Sequence, residues 1–213
     1  MPTLLLSPLI LVAAALAVRA DYRGPPWHHY LGKPLATTLI FVLAWSRSPD
    51  ATRSYALTIL LGLLCSLAGD IFLMLPGDRF IPGLVSFLLA HLAYITAFAT
   101  APQVRFTPVS TLTLLPLILY GAVIFGQLVP HLGRLRLPVF VYLLVLVAMA
   151  WCAVDRWRVI QTAPAALAAL GALLFVLSDT VLAWNRFIGR FTAAQAIVLG
   201  TYFAAQWLIA LSV

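Results

Sequence analysis

The sequence predicts an all-α integral membrane protein, a bundle of about eight transmembrane helices. Of its 213 residues, 63% are apolar and only 9% are charged, whereas a soluble domain carries about 25% charged residues. A helix needs about 20 mainly apolar residues to span a bilayer. Short connections separate the apolar segments, so we expect one polytopic domain over residues 1–213. The predicted spans are 3–19, 34–46, 55–75, 80–100, 107–128, 136–154, 163–184 and 193–212.

Each span follows from its apolar run and its flanks. The first lacks the basic residues that open a signal peptide, so we expect it to remain as a helix. The second is short, and its start is expected nearer Tyr30. The third and seventh carry an aspartate near their ends, and the fourth follows the third across a short loop. The fifth, sixth and eighth are apolar runs of ordinary spanning length.

The basic residues favour a membrane topology over nucleic-acid binding. The net charge is +7, but lysines and arginines occur singly or in pairs through the loops rather than in a stripe. With both termini outside the cell, eight of them fall in cytoplasmic loops and five in the opposite loops. This bias predicts that the helix ends near Asp70 and Asp179 face the cytoplasm. Oligomeric state is left open.

Asp70 and Asp179 are the candidate catalytic residues because they lie inside apolar helices. A carboxylate at the bilayer centre costs on the order of 2.5–3.5 kcal/mol. Each aspartate is expected about five residues from its helix end, which places it roughly 7–8 Å inside the terminus. That depth is the boundary between headgroups and hydrocarbon, and an ionisable residue there indicates function.

The segments around the two aspartates resemble each other. "GLLCSLAGDIFL" (62–73) aligns with "GALLFVLSDTVL" (171–182), pairing Asp70 with Asp179 at a single offset. Four helices separate the copies, so a duplication would give a parallel 4+4 internal repeat about an axis along the membrane normal. Chance is the alternative, since glycine and leucine are common in such helices.

Other polar residues are candidates to bind a substrate near the aspartates. His91 and Tyr94 are three apart on one face of the fourth helix. Lys33 is expected on the same side of the membrane as the aspartates, with interfacial snorkelling as the alternative. Asn185 ends the seventh helix and Tyr202 lies in the eighth. No ligand spacing for a metal is present, so neither a metal nor an organic cofactor is expected.

Several motifs together resemble the YhhN-like family of membrane lysoplasmalogenases, from about Lys33 to Gln206. They are "KP" in the second helix, "SLAGDIFLML", "GLVSFLLAHLAYITAF", "LLFVLSDTVLAWNRF" and "YFAAQWLI". The resemblance implies eight spans and hydrolysis of the vinyl ether bond of lysoplasmalogens, a class of lysophospholipid within the bilayer. The implied products are a fatty aldehyde and glycerophosphoethanolamine or glycerophosphocholine.

A pair of carboxylates suits this chemistry. A vinyl ether cleaves when its double bond is protonated to an oxocarbenium ion, to which water adds. One buried aspartate would donate the proton, while its ionised partner stabilises the cation and activates water. Lys33 would bind the phosphate, and His91, Tyr94, Asn185 and Tyr202 would line or order the site. The residues alone do not assign the acid.

Two other interpretations remain open from the residues. In a proton-coupled transporter, Asp70 and Asp179 would relay protons, although transporters usually hold such sites near the midplane between broken helices. In a non-catalytic membrane protein, the two aspartates would pair with Lys33 or His91 to fix helix packing.

Overall fold

The computed structural model describes residues 2–23, 26–99 and 108–213. This part of the chain forms eight long α-helices joined by short loops and 3₁₀ turns, which confirms the predicted all-α membrane bundle. Seven of the described helices are long and apolar enough to span a membrane. Helix α2 is not among these seven, and its first residues are more polar than those of the other helices. The helices are α1 Pro2–Arg23, α2 Pro26–Arg47, α3 Arg53–Met74, α4 Phe80–Ala99, α5 Pro108–Leu128, α6 Arg136–Ile160, α7 Ala163–Phe187 and α8 Ala194–Leu211.

The helix bounds differ from the predicted spans at two places that matter for the site. Helix α2 begins at Pro26, a turn before the expected start near Tyr30, so Lys33 lies well inside the helix. Helix α7 continues to Phe187, because the ring of Phe187 packs edge-on against Phe80 at 5.6 Å and stabilises a further turn. Asp179 is therefore about 12 Å from its helix end and Asp70 about 6 Å, rather than 7–8 Å each as expected. The predicted ends at residues 100 and 107 lie outside the described residues.

The outer surface of the bundle is apolar, as a lipid-facing surface must be. On α3, Leu57, Leu61 and Leu64 are exposed, while Ile59 and Leu63 on the opposite face are buried. Lipid tails are as apolar as leucine, so helix association depends on close packing rather than on removal of apolar surface from water.

Glycines at equivalent positions allow the closest helix contacts. Helix α3 packs along α4, and α7 packs along α8. A Cβ atom on Gly62 would lie 2.2 Å from the ring of Tyr94, and one on Gly171 would lie 2.8 Å from the backbone oxygen of Ala205. Gly62 and Gly171 are paired in the alignment of residues 62–73 with residues 171–182. In each half of the chain, a glycine therefore allows the following helix to pack closely.

The two halves also contact each other in a matching way. Helix α2 of the first half packs against α8, and α6 of the second half packs against α4. A parallel repeat relates these two contacts, because it maps α2 onto α6 and α8 onto α4. The arrangement is compatible with the predicted 4+4 repeat, which stays a prediction.

We expect Gly171→Ala to lower the apparent melting temperature in detergent, by an amount corresponding to roughly 1–3 kcal/mol. The added methyl group meets backbone, which cannot turn aside, so α7 and α8 must separate. Gly200→Ala on α8 is the matched control, because no other helix in the described part of the chain comes within 4 Å of its Cβ position. Equal melting temperatures for the two variants would contradict the close α7–α8 contact.

Candidate active site

Asp70 is fully buried and is held by donors from two other helices. The Lys33 ammonium of α2 lies 3.0 Å from Asp70 Oδ1. The hydroxyls of Thr37 and Tyr202 each donate a hydrogen bond of 2.7 Å to Oδ2. An ammonium and two hydroxyl donors stabilise the ionised form of a buried carboxyl group. The Asp70 cluster thus joins α2, α3 and α8 through one negative charge.

A chain of hydrogen bonds extends from this cluster into the core. Gln206 Nε2 donates to the Tyr202 hydroxyl at 3.4 Å, and Tyr94 donates to Gln206 Oε1 at 2.7 Å. Tyr94 is completely buried and does not line the chamber described below. Its place is therefore behind Tyr202, where it helps to fix the hydroxyl that binds Asp70, rather than at the predicted substrate surface.

Asp179 has a different set of partners. The Tyr142 hydroxyl of α6 donates a 2.5 Å hydrogen bond to Asp179 Oδ2, and His91 Nε2 of α4 lies 4.0 Å from the same oxygen. In the described part of the chain, no lysine or arginine lies within 4.0 Å of this carboxyl group. The Asp179 side chain is 11% exposed, compared with 0% for Asp70.

The two aspartates occupy equivalent places with unlike neighbours. Tyr142 precedes Asp179 by 37 residues, as Lys33 precedes Asp70. Each aspartate takes one neighbour from the helix before it and one from the last helix of the other half, namely His91 or Tyr202. The arrangement is thus nearly symmetric, but Asp70 has the Lys33 ammonium beside it, whereas Asp179 has the phenol of Tyr142.

Both aspartates line one polar chamber of about 740 Å³. It lies where α3 and α7 end and where α4 and α8 begin, so it is at one face of the membrane. The apolar part of its wall comes chiefly from those four helix ends. Its charged and polar wall includes Lys33, Asp70, Ser178, Asp179, Asn185, Arg186, Arg190, Gln195 and Tyr202.

The mouth of the chamber is ordered by contacts between loops and helix ends. Arg186 donates hydrogen bonds to both carboxylate oxygens of Asp78, at 2.9 and 3.1 Å, and stacks over the ring of Phe80 at 4.0 Å. Asn185 Oδ1 accepts the backbone N–H of Phe191 at 3.3 Å. The predicted substrate-binding residue Asn185 therefore lines the chamber while also fixing the α7–α8 loop.

His91 is near Asp179 but lines neither that chamber nor the adjoining cavity described below. It is fully buried, and its ring packs edge-on against Phe175 at 4.7 Å and Tyr142 at 5.3 Å. Within the described residues, neither ring nitrogen has a hydrogen-bond partner. The structure thus places His91 behind the catalytic candidates, not at the predicted contact with substrate.

Comparison with known proteins identifies the family of this chain. The model of the YhhN family matches residues 28–213, which include all of the candidate site residues. The chain belongs to the YhhN family. No solved structure matches it significantly.

Named relatives cover most of the chain. The "Uncharacterized membrane protein YhhN" of Escherichia coli O6:H1 is 34% identical over 200 residues, 94% of each chain. "Lysoplasmalogenase TMEM86B" of Sus scrofa is 36% identical over 192 residues, 89% of this chain and 76% of its own. "Lysoplasmalogenase TMEM86A" of Bos taurus is 31% identical over 200 residues. The relatives of this chain thus include both bacterial and mammalian proteins.

Sequence reasoning did not select Thr37, Tyr142 or Arg190. The internal alignment could have indicated Tyr142, because the offset that pairs Asp70 with Asp179 also pairs Lys33 with Tyr142. Thr37 lies one helical turn after Lys33 and so shares its face. Arg190 lies in the loop between α7 and α8. Helical periodicity does not apply to a loop, so no pattern in the sequence indicated that Arg190 lines the chamber.

We expect Lys33→Met to destabilise the protein strongly, by roughly 3–5 kcal/mol, because it leaves a buried charge without its partner. Adding Asp70→Asn to Lys33→Met should restore much of the loss in apparent melting temperature. Arg186→Met breaks an exposed ion pair instead and should cost about 1 kcal/mol or less. Strictly additive effects of Lys33→Met and Asp70→Asn would contradict the coupling.

Proposed function

We propose that this protein is a membrane lysoplasmalogenase. It would hydrolyse the vinyl ether bond of lysoplasmenyl-ethanolamine or lysoplasmenyl-choline to a fatty aldehyde and the glycerophospho-alcohol. Relatives named lysoplasmalogenase, aligned over most of the chain, support the activity. The observation that carries the chemistry is a membrane chamber lined by two carboxyl groups in unlike surroundings.

Asp179 is the proton donor in this proposal. A carboxyl group without a cation beside it is most easily buried in its neutral, protonated form. Tyr142 occupies Oδ2, so Oδ1 remains to carry the proton. The partial exposure of Asp179 to the chamber also gives a substrate access to that oxygen. An acid must lie within reach of the atom that it protonates.

Asp70 supplies fixed negative charge. Its Oδ2 atom accepts hydrogen bonds from Thr37 and Tyr202, and Oδ1 is ion-paired with Lys33, so the carboxylate is preorganised and stabilised in its ionised form. Fixed charge aimed at a developing cation is an effective means of catalysis in a site that excludes bulk water. We therefore assign Asp70 to stabilisation of the oxocarbenium ion.

The reaction balances with these two residues and one water molecule. The Asp179 O–H proton moves to the alkenyl carbon farther from the ether oxygen, and an oxocarbenium ion forms. Water adds to the carbon attached to oxygen, and its proton returns to Asp179. In the hemiacetal, the bond between that carbon and the glycerol oxygen then breaks, and the hydroxyl proton passes to the glycerol oxygen, which gives aldehyde and alcohol. The protein begins and ends with Asp179 protonated.

Basic residues in the chamber suit the phosphate of the lysolipid. The Lys33 ammonium group has three N–H donors, and its ion pair with Asp70 directs one of them at that carboxylate. The other two could donate to a phosphate. Arg190 lines the chamber from the loop between α7 and α8. We propose that these two residues hold the phosphate at the membrane surface. From the bias of basic residues, we propose that the chamber opens to the cytoplasm.

The first experiment measures aldehyde release from lysoplasmenyl-ethanolamine by the purified protein in detergent. In D₂O, the aldehyde should gain one deuterium at the carbon next to the carbonyl, because protonation occurs there. No aldehyde from well-folded protein would refute the proposed activity, and proton-driven uptake in vesicles would then test the transporter alternative.

We expect Asp179→Asn to lower turnover by roughly 10²–10⁴-fold, the usual contribution of general acid catalysis. Asp70→Asn should also lower turnover by more than about tenfold, or about 1.4 kcal/mol. Asp78→Asn is the control, since it changes an exposed carboxylate at the mouth of the chamber. Monodisperse Asp179→Asn protein with near wild-type activity would remove this residue from the chemistry.

Tyr142→Phe should lower kcat roughly tenfold, because it removes the hydroxyl that orients Asp179. Tyr120→Phe makes the same change next to the site, where the hydroxyl donates at 2.8 Å to Thr180. We expect Tyr120→Phe to keep close to wild-type kcat. If both variants lose activity equally, the Tyr142 hydroxyl has no special relation to the reaction.

A further inference from the structure

A narrow apolar cavity adjoins the polar chamber and shares part of its wall. We call it the apolar slot; it lies among α4, α5, α6 and α7 and holds about 50 Å³. Apart from Tyr142, Asp179 and Thr180, all its lining residues are apolar. Its far wall includes Ile124 and Leu128 of α5 and Leu146 of α6.

Asp179 lies at the junction of the two cavities. Phe80, Phe87 and Phe187 also line both the chamber and the slot, whereas Asp70 and Lys33 line the chamber alone. A molecule that occupied both cavities would have its polar part beside Lys33 and an apolar part beside Ile124. The carboxyl group of Asp179 would lie between them.

We propose that the apolar slot binds the beginning of the single hydrocarbon chain of a lysophospholipid. This inference rests on the proposed function and extends it by naming the chain-binding site. The bond to be cleaved joins the chain to the glycerol, which is where a carboxyl group at the junction would meet it. The slot has room for a few methylene groups, so it takes the part of the chain next to the vinyl ether.

The chemistry of the walls favours this occupant. Lys33 and Arg190 of the chamber suit an anionic head, and the slot offers apolar side chains alone beyond Thr180. The slot therefore offers the hydrocarbon chain surroundings as apolar as the lipid tails that it leaves.

A substitution that fills the slot tests its role in catalysis. Ile124 is half-buried and lines the slot, whereas its neighbour Val123 is 54% exposed on the outer face of α5. We expect Ile124→Trp to lower kcat/KM for lysoplasmenyl-ethanolamine at least tenfold. Inhibition by glycerophosphoethanolamine, which has no chain, should be unchanged, and Val123→Trp should resemble wild type in both measurements.

A photoreactive lipid tests the location of the chain without hydrolysis. The probe is a saturated 1-O-alkyl lysophosphoethanolamine with a diazirine a few carbons from the ether oxygen. We expect mass spectrometry to find the label on residues of the slot, such as Ile124, Leu128 or Leu146, and Ile124→Trp to reduce it.

The two experiments separate the chain site from the proposed activity. Labelling of the slot without hydrolysis of any lysoplasmalogen would refute the activity and support the chain site. Hydrolysis with labelling elsewhere, or with an unchanged kcat/KM in folded Ile124→Trp protein, would overturn the chain site and leave the activity standing.

Discussion

The ion pair between Lys33 and Asp70 is the interaction on which the rest of the site depends. A carboxylate enclosed among membrane helices is costly unless a cation and hydrogen-bond donors surround it. Meeting that requirement brings α2, α3 and α8 together at one level, because Lys33, Asp70 and Tyr202 belong to these three helices. The chamber forms beside that junction, so its position follows from the neutralisation of one buried charge.

The second aspartate shows how a nearly symmetric scaffold can hold two different carboxyl groups. Asp70 and Asp179 occupy corresponding turns, but Lys33 in one half corresponds to Tyr142 in the other. A cation favours the ionised form, whereas a phenol in an apolar setting leaves the neutral form accessible. In the proposed mechanism, this difference between Lys33 and Tyr142 separates the roles of the two aspartates, as unlike surroundings do in other acid and base pairs.

The sequence predicted the helices well because membrane spans have a strong apolar signal. It indicated Asp70 and Asp179 as candidate site residues because charge is rare within those spans. It failed where tertiary contacts decide the outcome. The extra turn of α7 depends on Phe187 meeting Phe80. His91 and Tyr94 share a helix face with the site, but packing places both behind its wall. Helical periodicity reports a shared face and cannot report which side chain reaches a cavity.

The sequence by itself determined the membrane class, the order of the helices and the candidate residues Lys33, Asp70, Asp179 and Tyr202. Those properties follow from composition and local pattern along the chain. The tertiary structure alone decided that Lys33 pairs with Asp70 rather than Asp179, and that Asp179 stands between a polar chamber and an apolar slot. Both facts depend on contacts between helices distant in the chain, and no local pattern in the sequence specifies those distances.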